Sequence, residues 1–326
     1  MNKFRYYFIL IITTLSLFSC SKDDNTIEEV PLRDYGEQHA KDNDSIEKYL
    51  NNYYIEEITD APGEPQDQDI KMTKIPEGGT QESIMSLLNS PTFPKLLEKE
   101  IKLHDITYKL YYLVLREGVG EKPTNVDGVF ADYKGTLLDG TVFDQSMNPQ
   151  GLYNLDGYTQ TAGVPVIRGW SEVFPEFKTG NYEESGLGDG TLVYKDFGAG
   201  VMFLPSGLAY YGSGSGSIPS YTPILFSFKL YELRRYDHDN DGIPSYLEDI
   251  DGDGYLPLSS SADMKDDSDG DGIPDYLDAD DDGDGFLTRR EITVNGKLIP
   301  FESIPDCSGN TTNPDRKKKY LDKNCY

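Results

Sequence analysis

The first pattern along the chain is a nearly continuous apolar run, Tyr6 to Leu17, behind a basic start at Lys3 and Arg5. The run is shorter than the roughly 20 residues that span a bilayer, so it predicts a targeting segment rather than a membrane helix. Residues 21–45 are polar and charged and predict a flexible tether. Apolar residues return at near-helical spacing over 45–60 and predict a short amphipathic helix. Ala61 to Asp69 is rich in Pro, Gly, Asp and Gln and reads as a loop, and residues 80–100 give a second helical patch broken by Pro91 and Pro94.

The pattern changes at about Tyr108. Tyr108 to Arg116 is aromatic and β-branched and closes at Gly118. Residues 129–146 place an Asp139-Gly140 turn between two strand-like runs. Residues 164–177 (VPVIRGWSEVFPEF) set a strand-like run, a glycine step and a helix-like run around Trp170, the one tryptophan. After a Gly-rich insertion over 179–196, GVMFLPSGLAYYG leads into GSGSGSIP, and PILFSFKLYEL ends the block as a strong strand. Many short strands, turn signals and one short helix predict a compact α+β domain over 108–235. Phe174 and Phe228 are expected to be plain core.

Composition changes the picture in one place. The 326 residues are 37% hydrophobic and carry a formal net charge of −27, which argues against nucleic acid as a partner. Residues 237–291 hold 19 Asp and Glu against Lys265, Arg289 and Arg290. This segment repeats: DHDNDGIPSYLEDIDGDGYL begins at Asp237 and DSDGDGIPDYLDADDDGDGFL at Asp267. Calcium takes several oxygen ligands around a loop with a glycine at its sharp turn. Asp237, Asp239, Asp241, Ile243 (through its carbonyl) and Glu248 fit that signature. So do Asp280, Asp282, Asp284, Phe286 (carbonyl) and Glu291. Asp267, Asp269, Asp271, Ile273 (carbonyl) and Asp278 fit with Asp in the twelfth place, and Asp249, Asp251 and Asp253 form a truncated version. A solvated acidic linker is the bland alternative, but random acidity would not set glycine at the sixth place of every loop. Structural Ca2+ is therefore expected, with the charged segment compacting into a stiff rod when metal binds. His39, His104 and His238 form no cluster and no nucleophile–base arrangement occurs, so a hydrolase is disfavoured.

The chain divides into 1–20, a targeting segment; 21–107, a tether with short helices; 108–235, the α+β domain; 236–292, the acidic repeats; and 293–326, a polar tail with a basic patch, Arg316 to Lys319.

Three resemblances add to this. Leu17-Phe-Ser-Cys20 is similar to a bacterial lipobox, which implies a lipidated Cys20, a membrane anchor and an outer-membrane lipoprotein of a Gram-negative bacterium, periplasmic or surface-exposed. In that oxidising setting Cys307 and Cys325 would close a disulfide. Residues 237–291 resemble thrombospondin type 3 repeats more than paired EF-hands, because Pro244 and Pro274 discourage flanking helices. Residues 108–233 resemble the FKBP-type peptidyl-prolyl cis-trans isomerases. The resemblance rests on Asp132-Tyr-Lys-Gly-Thr-Leu, Asp139-Gly-Thr-Val-Phe-Asp144, Val166-Ile-Arg-Gly-Trp170, Leu204-Pro-Ser-Gly-Leu-Ala-Tyr210, Ile218-Pro219 and Leu225 to Leu233. It implies an antiparallel sheet wrapped on a short helix, with no cofactor for catalysis. It also implies a proline pocket of Tyr133, Phe143, Asp144, Val166, Ile167, Trp170, Tyr210, Ile218 and Phe226. In it the indole lies beneath the proline ring, and the Ile167 amide and Tyr210 hydroxyl hold substrate carbonyls. The insertions at 151–161 and 179–196, and Tyr211 ahead of Gly212, depart from the family pattern. The expected function is isomerisation of Xaa-Pro bonds in exported polypeptides, with other surface or secretion proteins as further partners. The alternative is a catalytically weak peptide-binding or adhesion/secretion-assembly lipoprotein using the same cleft.

Overall fold

The computed structural model describes residues 31–147, 151–157, 163–186, 188–258 and 265–325. The apolar leader and Cys20 lie outside the described residues, and so does part of the 151–161 insertion. No helix among the described residues is long and apolar enough to cross a membrane.

Helix α1 runs over Tyr35–Asn52, starting ten residues before the helix expected at 45–60. Asp34 caps it, accepting from the Glu37 amide at 2.9 Å. Its first two turns bury Gln38 and Asp42, and its last two bury Ile46 and Leu50. Because the first pair is polar, hydrophobic periodicity registers only the second half. The helix stops where aromatic and β-branched residues begin: β1 (Tyr53–Ile58) pairs antiparallel with β2 (Ile70–Lys74). The helical patch expected at 80–100 is instead a single 3-10 turn, Ile84–Leu87, followed by β3 (Lys95–Leu103). Positive φ at His104 (54°) and Asp105 (59°) makes the tight turn that folds β3 onto β4 (Ile106–Arg116). A strand therefore lies before the change of pattern at Tyr108.

β5 (Gly128–Leu137) and β6 (Val142–Ser146) form the expected hairpin around Asp139-Gly140, with Gly140 at φ 88°. β7 (Leu152–Asn154) pairs with β5, and the short β8 (Val164–Pro165) runs parallel to β7. Helix α2 (Arg168–Val173) follows. The 179–196 insertion is its own hairpin, β9 (Asn181–Glu184) with β10 (Leu192–Lys195). β11 (Gly198–Leu204) and β12 (Ile224–Arg234) complete an eight-stranded sheet in the order β3-β4-β11-β12-β5-β7-β8, with β6 also on β5. Every pairing except β7–β8 is antiparallel.

Both faces of the central strands are buried, and the period of two sorts their side chains. Leu110, Tyr112 and Val114 of β4 join Met202, Leu204, Phe226 and Phe228 against α2. Tyr111, Leu113 and Leu115 join Val201, Phe203 and Leu225 against Ile46 and Leu50 of α1. Phe174 and Phe228 are buried core, as expected. The result is an α+β fold, an antiparallel sheet wrapped on a short helix, with an irregular acidic segment attached.

That segment packs against the α+β domain. Arg235 ion-pairs with Asp127 and Glu121, and His238 meets Asp156 at 2.9 Å. Leu256 exchanges two 2.8 Å hydrogen bonds with the Asn125 side chain and packs with Val126 and Tyr276. The tail folds back as well. Helix α3 (Thr288–Glu291) leads into a small hairpin, β13 (Thr293–Val294) with β14 (Lys297–Leu298), turned by Asn295 and Gly296. Ile243, Ile292, Ile304 and Tyr320 then make one minor core across repeats and tail.

Candidate functional site

The cleft is built on the sheet face that carries α2. Ile167 caps α2 in an extended conformation, and the Trp170 amide donates back to its carbonyl at 3.0 Å, which turns the indole into the sheet. Gly169 permits this: a Cβ there would lie 2.5 Å from the Leu204 side chain. Trp170 is 4% exposed. Its ring centroid lies 5.1 Å from Tyr133, 5.3 Å from Tyr153 and 5.3 Å from Phe226, all edge to face. Phe143 meets Phe226 edge to face at 5.4 Å. Gly135 leaves room for that pair, because a Cβ on it would overlap the Phe143 ring.

Ile218 is buried in the same cluster, with Val166, Ile167 and Tyr210 packed half-buried against it. Asp144 is exposed at the rim and accepts from the Tyr133 hydroxyl at 2.7 Å. Eight of the nine residues expected from sequence thus belong to this one cluster, and Asp144 joins it from the rim through Tyr133. Burial, and then the bond to Asp144, pushes the Tyr133 hydroxyl far above its usual range. Tyr210 is raised too, by burial and then by the Asp144 charge. Both phenols therefore stay protonated and serve as hydrogen-bond donors. The indole Nε1 is buried without a partner among the described residues, leaving a further donor in the floor. Tyr153 was not expected. It touches both Tyr133 and Trp170, and its signal was an aromatic on the short strand after the hairpin. Such a box can hold an apolar ring in a dry setting and bond carbonyls at its rim. Among the described residues it contains no nucleophile–base pair.

The acidic segment forms four loops with the same internal wiring. Gly242, Gly254, Gly272 and Gly285 all sit at positive φ, between 85° and 105°. Their amides donate to the first carboxylate of each loop, Asp237, Asp249, Asp267 and Asp280, at 2.8–3.2 Å. The amide after each glycine donates to the fifth-place acid at 2.6–2.7 Å: Ile243 to Asp241, Tyr255 to Asp253, Ile273 to Asp271 and Phe286 to Asp284. The backbone is therefore already wrapped around a shared centre.

The clusters that could hold a cation differ from the sequence sets in instructive ways. Asp239, Asp241 and Glu248 converge within 4.8 Å, but their fourth member is Asp281 of the other repeat. Asp249 and Asp251 are joined by Asp266 rather than Asp253. Asp267, Asp269 and Asp271 converge, as do Asp280, Asp282 and Asp284; Asp278 and Glu291 stand outside those tight groups. Burial, and then neighbouring carboxylates, lifts Asp239 to about 8 and Asp281 to about 10, with Glu248 well above its usual range. Both oxygens of Glu248 and of Asp281 are buried without partners among the described residues. Buried, mutually repelling carboxylates with unpaired oxygens fit a hard divalent cation. Asp281 and Asp266 escaped the loop formula because each sits beside a ligand place, not in one.

One arm of the acidic segment reaches the cleft's support. The Tyr255 hydroxyl donates to the Glu172 carbonyl of α2 at 2.9 Å and also bonds the Lys99 ammonium. Lys99 ion-pairs with Glu176 at 3.1 Å and Glu172 at 3.4 Å. Cys307 and Cys325 stand as free thiols, with Cys325 within hydrogen-bonding reach of Cys307.

Residues 119–184 match the family model of FKBP-type peptidyl-prolyl cis-trans isomerases, and residues 238–314 match the model described as BamM C-terminal. Among curated proteins, the chain is 31% identical over 125 residues to a probable FKBP-type isomerase FkpA of Neisseria meningitidis serogroup B, covering 38% of each chain. It is 33% identical to FkpA of Aeromonas hydrophila, covering 40% of this chain and 41% of that one. It is 29% identical to a Legionella longbeachae protein named outer membrane protein MIP, covering 39% and 45%. The crystal structure of FkpA from Escherichia coli is 31% identical, covers 38% of this chain and 48% of its own, and superposes with a TM-score of 0.30. The chain thus spans about two-fifths of the length of the curated relatives it matches.

Proposed function

We propose that the chain is a peptidyl-prolyl cis-trans isomerase acting on Xaa-Pro bonds of exported polypeptides, anchored to the outer membrane through a lipid on Cys20. The observation that carries this reading is the box of Tyr133, Phe143, Trp170 and Phe226 around a Tyr133–Asp144 hydrogen bond, in a segment matching the isomerase family model.

The physics needs no nucleophile. Rotation about a peptide bond faces a barrier of about 18–20 kcal/mol, because twisting destroys amide resonance. The twisted amide is less polar than the planar one, so a dry aromatic pocket favours the transition state over the ground state. Trp170 and its neighbours hold the proline ring. The Tyr210 hydroxyl and the Ile167 amide bond the flanking carbonyls. Asp144 fixes the Tyr133 hydroxyl and faces the rotating carbonyl. None of these steps calls for a cofactor.

The acidic segment binds structural Ca2+. Asp239, Asp241, Glu248 and Asp281 would hold one ion, and the other three loops supply further carboxylates. The ion neutralises buried charge and ties the two repeats together; it takes no part in the isomerisation. The loop pattern supports a thrombospondin type 3-like origin, and the exported setting supports a Cys307–Cys325 disulfide.

The deciding experiment is a prolyl-isomerase assay on the chain beginning after Cys20, in Ca2+ and in chelator. Turnover in both makes the acidic segment a separate structural part. Turnover only with Ca2+ makes it a support for the catalytic domain. No turnover from folded protein in either condition overturns the enzyme reading and leaves a peptide-binding module.

A further inference from the structure

The loop between β11 and β12 carries two walls of the cleft, Tyr210 and Ile218, and helix α1 holds it at both ends. At its start, the Asp42 carboxylate accepts from the Ser206 amide at 2.8 Å and from the Ser206 hydroxyl at 2.6 Å. At its far end, the Gln38 side-chain amide donates to the Tyr221 carbonyl at 3.2 Å and to Asp42 at 2.7 Å. One turn further toward the helix start, the Tyr35 ring stacks between His104 at 3.9 Å and Tyr211 at 4.3 Å. The loop closes on itself inside these anchors, Tyr211 N to Ser206 O at 2.9 Å and Tyr221 N to Tyr211 O at 2.7 Å.

Asp42 is 2% exposed and Ser206 is fully buried. No Lys or Arg pairs with that carboxylate among the described residues. Packing alone does not call for a buried acid here. The next two positions on the same helix face, Ile46 and Leu50, serve the core with aliphatic side chains. A buried carboxylate gives up its hydration at a substantial cost, and what it secures is a fixed backbone position for Ser206. Charge-assisted bonds to a backbone amide are among the stronger protein hydrogen bonds.

We propose that Gln38 and Asp42 are positioning residues of the cleft: they clamp the two ends of the 205–222 loop, so that Tyr210 and Ile218 are held over Trp170. The N-terminal helix is then part of the isomerase site, a role that rests on the isomerase reading of that cleft.

The test compares wild type, Asp42→Ala, Asp42→Asn and Gln38→Ala in the chain beginning after Cys20. Two quantities are read: kcat and KM on Xaa-Pro peptides, and amide exchange of residues 207–221 against β11 and β12. The expected result for Asp42→Ala is loop exchange and KM each raised about tenfold, with strand exchange and kcat changed less. Asp42→Asn keeps an acceptor for Ser206 and should recover part of the KM. Gln38→Ala releases the Tyr221 end and removes one donor to Asp42 while leaving the Ser206 bonds, and gives a smaller effect; it carries the test if Asp42→Ala does not fold. Unchanged loop exchange and KM in folded variants would overturn the clamp, and so would acceleration spread evenly over the sheet. Faster loop exchange in a chain whose wild type has no turnover would keep the clamp and remove the isomerase reading.

Discussion

The hydroxyl of Tyr133 donates to the carboxylate of Asp144 at 2.7 Å across the β5–β6 hairpin, joining the inner wall of the cleft to its rim. Removing the carboxylate frees a donor that then points at random. Asp144→Ala should lower kcat/KM by roughly tenfold or more, and Tyr133→Phe by less, because the ring remains. Peptide isomerisation kinetics check both. A larger loss in Tyr133→Phe than in Asp144→Ala would show that the hydroxyl acts without its partner.

Trp170 is both the floor of the cleft and the one indole in the chain. Its emission should shift when an Xaa-Pro peptide binds, and Tyr153→Ala should weaken that binding with little loss of fold. Trp170→Ala should cost about 3–5 kcal/mol of stability as well as activity, since it empties a buried site. Fluorescence titration and denaturant unfolding separate the two effects.

Asp281 should behave as a ligand although no loop formula includes it. In chelator, Asp281→Asn should raise the melting temperature, because it removes one of several repelling buried carboxylates. In Ca2+ the gain should invert, with affinity at that site falling about tenfold. Melting curves and calcium titration of wild type and variant decide this. Equal Ca2+ stabilisation in both would remove Asp281 from the site.

His39 ties stability to pH. Its Nε2 accepts from the Lys109 amide at 3.1 Å, so protonation destroys the bond. Burial lowers its pKa below the usual 6.5, with Lys109 adding to the effect and Asp42 opposing it. A His with a lowered folded pKa binds its proton more readily when unfolded. Stability should therefore be undiminished above pH 6.5 and fall as pH drops from there toward the folded pKa. Unfolding midpoints across that range should be flatter in His39→Gln, whose amide oxygen accepts at any pH.

Much of the cleft was legible in the sequence because its chemistry is local. The Asp139-Gly140 turn, the Gly169 step and the aromatic spacing each act within a few residues. What was not legible depends on partners distant in the chain. Gln38 and Asp42 look like tether because polar residues carry no hydrophobic period, yet they answer Ser206 and Tyr221 from the far side of the sheet. The strand at Lys95–Leu103 alternates weakly, and only its pairing with β4 settles its state. Asp281 is one acid in a run of three, and nothing local distinguishes the one that crosses to Glu248. The docking of Tyr255 on α2 joins two segments whose composition suggests independence.

The junction between β12 and the acidic repeats has a mechanical consequence. β12 lies between β11 and β5 and passes into the repeats at Arg235 with no spacer. Tension applied through the repeats would first load the contacts of Arg235, His238, Tyr255 and Leu256 with the domain, and then this strand along its own axis. Its ladder bonds run perpendicular to that axis, so they would resist together in shear. A pull that outlasts those contacts therefore meets a strand paired on both sides, and that strand carries Phe226 of the cleft.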